Sequence, residues 1–257
     1  MFKIIKKTIK KFLWFIGIEI KKINKEVSYM SFDDIYKSML SDKPIIFDIG
    51  ANQGQSIERF KKIFANSKIY AFEPIKFEYQ KLKKKYQNDP NVILNNCAVG
   101  EKAGNEKFYV TVKTGNSSFN KVKSGTDWIK VRSKQYNTTV ENYIQSTEDV
   151  KIITLDDYCF QNNIKNIDLI KIDTQGYEDK VLEGSKNILS NEIISAIESE
   201  IMLDNVYEKY LNFTDLERNL ISNNFRIVGI NTINNNLFSG LTFHADVLYF
   251  NKKKFNL

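Results

Sequence analysis

Four acids stand at the ends of apolar runs in this 257-residue chain: Asp48 in IIFDIG, Glu73 in IYAFEP, Asp173 in IDLIKID and Glu200 in IISAIESEI. If the runs are strands of one parallel sheet, the acids converge on a crevice beyond its carboxyl edge, where such sheets bind ligands. The first run continues into GANQGQS, so Gly50 and Gly54 flank Asn52 with G-x-x-x-G spacing. The first glycine permits a tight turn and the second a close backbone approach. This is not the G-x-G-x-x-G of a dinucleotide site; a loop of this kind can cradle an adenosyl group without a pyrophosphate. Glu73 follows at the end of the neighbouring run, placed to accept hydrogen bonds from both hydroxyls of a ribose, or else to cap the helix after Pro74. NNCAVG (95–100) falls where an adenine edge would lie, at Cys97 and Ala98, with Ile49 and Phe72 as further apolar wall or ordinary core. Asp173 is the first candidate for a general base, with Glu200 behind it. Glu198 and Glu200 share a face by the two-residue period of a strand. His244 titrates near neutrality, although its place at the head of the last apolar run equally suits a structural role.

The elements that position these residues follow from the apolar pattern. Runs at 45–49, 69–72, 92–94, 167–172, 193–197, 225–230 and 245–250 read as strands, and 55–65, 75–87, 177–190 and 213–223 as helices. Apolar strands alternating with helices give βαβ units and a mostly parallel sheet covered on both faces. The last two runs are joined by polar 231–244 without a helix, so the final strand is expected to be antiparallel. SFDDIYKSMLS (31–41) reads as a helix capped by Ser31, with acids in its first turn. The stretch 105–150 opens with the strand-like EKFYVTV and is otherwise long and polar, which predicts an insertion forming a lid or a substrate wall.

Composition narrows the function classes. The net charge is +7, yet residues 1–28 hold eight Lys and two Glu, a net +6, leaving +1 for the remainder. Basicity therefore belongs to the N-terminal segment, and with only Arg59, Arg132, Arg218 and Arg226 as arginines no nucleic-acid partner is expected. In KIIKKTIKKFLWFIGIEIKKINK (3–25), apolar residues recur at helical spacing beside lysines, the pattern of a basic amphipathic helix. Such a helix docks on an anionic membrane surface, or packs on its own domain or a second subunit. Two cysteines, Cys97 and Cys159, and one histidine leave a four-ligand zinc site one short, and no metal is expected. They also make no disulfide framework, as suits a reducing compartment. No apolar run reaches the roughly 20 residues that span a bilayer.

Taken together, FDIGANQGQS, YAFEP, NNCAVGEKAG, the pair Ser117–Ser118, TLDDY, IDLIKIDTQGYE and ADVLYF resemble the FkbM-type methyltransferases over about residues 43–250. The resemblance implies a Rossmann-like class I methyltransferase: a seven-stranded, mostly parallel sheet with an antiparallel last strand and helices on both faces. It implies S-adenosylmethionine as cofactor and methyl transfer mostly to oxygen, on acceptors such as glycans, glycolipids or other hydroxylated molecules. The cofactor motifs fall on Asp48, Gly50, Asn52, Gly54, Glu73, Pro74, Cys97, Ala98 and Asp173. Ser117, Ser118, Tyr207 and Asp246 fall where the acceptor is expected. Gln175 departs from the family, many of whose members carry Glu there. The resulting expectation is a methyltransferase domain over 29–257, preceded by the basic helix of 1–28, in the cytoplasm and at the inner face of the membrane. Two readings compete with it. One is a nicotinamide-dependent oxidoreductase, which lacks its glycine fingerprint here. The other is a non-enzymatic membrane-surface module built on the basic helix.

Overall fold

The computed structural model describes residues 30–209, 211–232 and 243–255, together with Phe15. Apart from Phe15, the basic stretch 3–25 lies outside the described residues, as does most of the connection 231–244. The chain divides into two units, Met1–Ile35 and Tyr36–Leu257. In the first, the Ser31 hydroxyl donates to the Asp34 carboxylate at 2.7 Å and accepts from the Asp34 N–H at 3.2 Å. That cap opens α1 (Phe32–Met39), whose first-turn acids Asp33 and Asp34 suit the positive end of the helix dipole.

The second unit runs β1 (Ile45–Ile49), α2 (Gln55–Ile63), β2 (Lys68–Phe72), α3 (Lys76–Lys85), β3 (Val92–Asn95), β4 (Ala98–Val99) and β5 (Gly104–Thr111). A 3₁₀ turn (Thr114–Asn116), α4 (Asp127–Gln135), β6 (Ile144–Ile153), α5 (Leu155–Gln161) and β7 (Ile167–Ile172) follow. The chain continues through α6 (Glu178–Glu183), α7 (Lys186–Ser190), β8 (Ile194–Met202), α8 (Phe213–Ile221), β9 (Phe225–Thr232), β10 (His244–Asn251) and α9 (Lys252–Phe255). Seven strands form one sheet in the order β3-β2-β1-β7-β8-β10-β9, and β10 runs antiparallel to both its neighbours. The chain winds outward from β1 to β3, then returns to β7 on the other side of β1. The switch point, and with it the crevice, lies between β1 and β7.

The two faces of this sheet differ. Phe47 and Ile49, Ile170 and Ile172, Ile197 and Ile201, and Ala245, Val247 and Tyr249 join one apolar core with residues of α5, α6, α7 and α8. The alternate positions face the other way, toward Tyr36 and α2. They include Asp48, Lys171, Glu198, Glu200 and Asp246, which the period of two places together.

The expected helix 177–190 is two short helices broken at Gly184, against which the Gly100 carbonyl packs so closely that a methyl group would not fit. The polar stretch 105–150 is more ordered than its composition suggests. β5 and β6 pair antiparallel along eight residues, and β4 adds a third, parallel strand. Beneath them Ile75, Phe108, Val110, Phe119, Val150 and Tyr177 make a small core of their own. A second cluster joins Trp128 and Ile129 of α4 to Tyr143, Val206 and Tyr207, so that this region meets the segment after β8. The bridge between Val122 and Tyr207 fixes that meeting.

Candidate active site

At the β1 end of the crevice the backbone bends through Gly50 (φ 90°), Asn52 (φ 44°) and Gly54 (φ 84°). A Cβ at Gly50 would overlap the carbonyl of Asp173, so glycine is what lets the loops after β1 and β7 touch. Gly54 caps α2 without a side chain. The turn presents the Asn52 N–H to Glu73 Oε2 at 2.7 Å, while the Ile75 N–H donates to Glu73 Oε1 at 2.7 Å. Glu73 is 3% exposed. Burial outweighs the two N–H donors and pushes its carboxyl up to about 8. Each oxygen keeps a lone pair beyond the N–H it accepts, which is what a vicinal diol needs. The Asn52 amide donates to Thr114 Oγ1 at 3.1 Å, and that hydroxyl donates to Glu78 Oε1 at 2.9 Å, tying the loop to the 3₁₀ turn.

Across the sheet, Asp48, Lys171 and Glu198 stand side by side on β1, β7 and β8. Asp48 is fully buried, its oxygens in no hydrogen-bonding geometry among the described residues, although the Ser56 hydroxyl lies near enough to draw its pKa down. Burial dominates and raises it to about 6, against the pull of Lys171. Lys171 donates to Asp173 Oδ2 at 2.9 Å. Burial disfavours its charge, but Asp173, Asp48 and Glu198 together hold it well above the usual lysine range. Glu198 accepts from Arg59 Nη1 at 2.8 and 3.1 Å and from the Tyr36 hydroxyl. Sequence reasoning paired Glu198 with Glu200 but found neither Arg59 nor Tyr36. Their only signal is a helix face that cannot be assigned to the sheet before the fold is known.

Asp173 and Glu200 meet through Gln175. Its Nε2 donates to Asp173 Oδ1 at 2.9 Å and to Glu200 Oε2 at 2.6 Å, and its Oε1 accepts from the Tyr207 hydroxyl at 2.9 Å. Lys171 and Gln175 hold Asp173 below the usual carboxylate range despite burial. Glu200 goes the other way: burial, then Asp173 and Glu178, raise it well above that range. Asp246, opposite Glu200 on β10, is pushed up to about 6 by burial and Glu198.

These groups line a cavity of about 400 Å³, within the range of small-molecule sites. Gly50, Asn52, Glu73, Pro74, Ala98, Ser117, Asp173, Glu200 and Asp246 all contribute to its wall, as do Ile49 and Phe72. The other expected site residues stand behind it. Asp48 and Gly54 support the loop, and Cys97 packs in the core with Phe47 and Phe72. Ser118 is buried and accepts from the Asn120 N–H at 2.9 Å, and Tyr207 stands behind the wall, its hydroxyl shared between Gln175 Oε1 at 2.9 Å and the Asn116 carbonyl at 3.1 Å. His244 is half-buried opposite Met202 at the head of β10, its pKa lowered by burial. Gln175, Thr174 and Lys113 line the cavity without having been expected there.

Residues 48–227 match the methyltransferase FkbM domain, and the chain belongs to that family. It is 25% identical over 152 residues to the 2-O-methyltransferase NoeI of Sinorhizobium fredii (strain NBRC 101917 / NGR234), covering 57% of this chain and 59% of NoeI. It is 27% identical over 173 residues to Methyltransferase 1 of Beauveria bassiana (strain ARSEF 2860), covering 65% of this chain and 68% of that one. Among solved structures, the precorrin-6y C5,15-methyltransferase of Geobacter metallireducens GS-15 matches at TM-score 0.43 and 11% identity, covering 90% of this chain and 93% of that one. Aeropyrum pernix fibrillarin, solved with natively bound S-adenosyl-L-methionine, matches at TM-score 0.44 and 11% identity, covering 85% and 73%.

The chain thus carries a methyltransferase FkbM domain, whose cofactor is S-adenosylmethionine, and it spans 59% of the length of NoeI. The cleft suits that group: a glycine turn where side chains would collide, a buried carboxylate with two unused lone pairs, and apolar wall at Phe72 and Ala98. Among the described residues no three of His, Cys, Asp or Glu gather as metal ligands, and no helix is long and apolar enough to cross a membrane.

Proposed function

We propose that the enzyme transfers its methyl group to a hydroxyl of a carbohydrate, as a glycan or glycolipid, with Glu200 as the proton acceptor. Bound S-adenosylmethionine supplies a sulfonium methyl: the O–CH₃ bond forms as the S–CH₃ bond breaks, and that electron pair stays on sulfur. The residues then have divided tasks. Glu73 takes the ribose hydroxyls, and the turn from Gly50 to Gly54, with Asp48 beneath it, shapes the floor. Pro74, Cys97 and Ala98 belong to the adenine side. Asp246 and Ser117 face the acceptor, while Ser118 and Tyr207 support that wall from behind.

Glu200 carries the proposal. Its Oε1 has no hydrogen-bond donor among the described residues, and it lines the cavity with a proton affinity well above that of an ordinary carboxylate. A raised proton affinity lets a carboxylate hold the proton that a hydroxyl gives up. Asp173, the first candidate from sequence, has both oxygens engaged by Lys171 and Gln175 and a lowered pKa, which makes it the weaker base. His244 does not line the cavity. NoeI, a relative at 25% identity, is named as a 2-O-methyltransferase, which supports oxygen as the accepting atom. The test is transfer of labelled methyl from S-adenosylmethionine to a panel of oligosaccharides. A methyl ether is expected, made about 10²- to 10⁴-fold more slowly by Glu200→Gln. Label on nitrogen, or undiminished transfer by Glu200→Gln, contradicts the reading.

A further inference from the structure

Gln175 occupies a costly position. Its φ is 59°, in the left-handed region that side chains other than glycine enter rarely. The neighbouring turn is pinned by Glu178, whose Oε1 accepts from the Thr174 N–H at 2.8 Å and whose Oε2 accepts from the Gly176 N–H at 2.9 Å. In that conformation the Gln175 amide spends every strong bond it has on other side chains. Asp173, held as an acceptor-only carboxylate, and the Glu200 Oε2 beside it take the nitrogen, and the oxygen is left for Tyr207. Tyr207 is 2% exposed and is anchored in the cluster with Trp128 and Tyr143.

We propose that Gln175 is a positioning residue for methyl transfer: with Tyr207 behind it, its amide nitrogen holds the Asp173 and Glu200 carboxyls in one arrangement, leaving the second Glu200 oxygen free at the cavity wall. This rests on the reading of Glu200 as the proton acceptor. The amide is suited to the task because it does not titrate. It donates to a carboxylate and, more weakly, to the carbonyl oxygen of a carboxylic acid, so the arrangement survives when Glu200 gains the acceptor's proton and later loses it to solvent. A third carboxylate at 175 would need a proton of its own to sit there. Charge is assigned by the surroundings. Lys171 faces Asp173 from β7 and keeps it a carboxylate, with His244 adding a weaker pull. Around Glu200 stand Asp173, Glu178 and, on β10, Asp246, with Lys171 as the one opposing charge among its strongest influences.

The test is a carboxyl ¹³C NMR titration of the full chain labelled at Asp and Glu, with the two signals assigned by Asp173→Asn and Glu200→Gln. In the parent protein, Asp173 and Glu200 are expected to titrate in two widely separated steps. In Gln175→Met, Asp173 loses its amide donor. Its proton affinity should then rise about tenfold, and Glu200, which loses the same donor, should move in the same direction. Tyr207→Phe, which frees the amide oxygen, should shift the steps in the same direction and less. It carries the test alone if Gln175→Met does not fold. An Asp173 step that does not move in a folded variant overturns the proposal. Undiminished methyl transfer by Glu200→Gln, with the titration as expected, would overturn the reading of the base and leave the amide's hold on the two acids standing.

Discussion

Burying an acid that must later bind a diol has a thermodynamic signature. In the protein without cofactor, Glu73 is raised from 4.5 to about 8, chiefly by burial. A group whose folded pKa is raised binds its proton more tightly when folded. Its stabilising effect is complete below the unfolded pKa and is lost as pH rises through the folded one. Between pH 5 and pH 8 this one carboxyl should cost the fold about 3.5 kcal/mol. For a domain of this size that corresponds to about 7–14 °C in melting temperature. Glu73→Gln removes the titration while keeping an acceptor toward one of the two N–H groups, those of Asn52 and Ile75. The assay is thermal melting by circular dichroism of both proteins from pH 5 to pH 8. The parent should lose about 3.5 kcal/mol more than the variant over this range. Parallel curves, within about 1 kcal/mol of each other, would refute the assignment of a buried, protonated Glu73.

Lys171 should matter in proportion to the charge around it. Lys171→Met leaves Asp48, Asp173 and Glu198 without their shared cation and should destabilise the protein by about 3–5 kcal/mol at pH 8. The loss should shrink at pH 5, where Asp48, with a pKa of about 6, takes up a proton; urea unfolding at the two pH values decides. The basic segment 1–28 should bring the full chain down with anionic vesicles at low salt, and a chain lacking it should stay in the supernatant. Failure of the full chain to sediment contradicts membrane docking.

How legible this molecule was in its sequence depended on where each signal lay. The parallel strands announced themselves because strands buried on both faces read as unbroken apolar runs, as IIFDI and IDLIKI do. The antiparallel β10 followed from a polar connection with no helix in it. The second sheet was hidden because β6 (IQSTEDVKII) is half exposed, so its composition is that of a loop, and only its pairing with β5 gives it away. In the cleft, Gly50, Glu73 and Asp173 were legible from their positions at strand ends. The row Asp48–Lys171–Glu198 was not, because cross-strand register is a property of three distant segments at once. Gln175 was noticed only as a departure from a family pattern. Its value lies in an αL turn that no propensity predicts.

The measurement that bears most directly on the account is calorimetric titration of the full-length protein with S-adenosylhomocysteine, beside Glu73→Ala and with NADH as the control ligand. The cleft built on Gly50 and Glu73 predicts binding in the micromolar range, weakened at least about tenfold in Glu73→Ala because two diol hydrogen bonds are lost, and no response to NADH. S-adenosylhomocysteine binding that ignores the substitution, or a cleft that takes NADH instead, would contradict it.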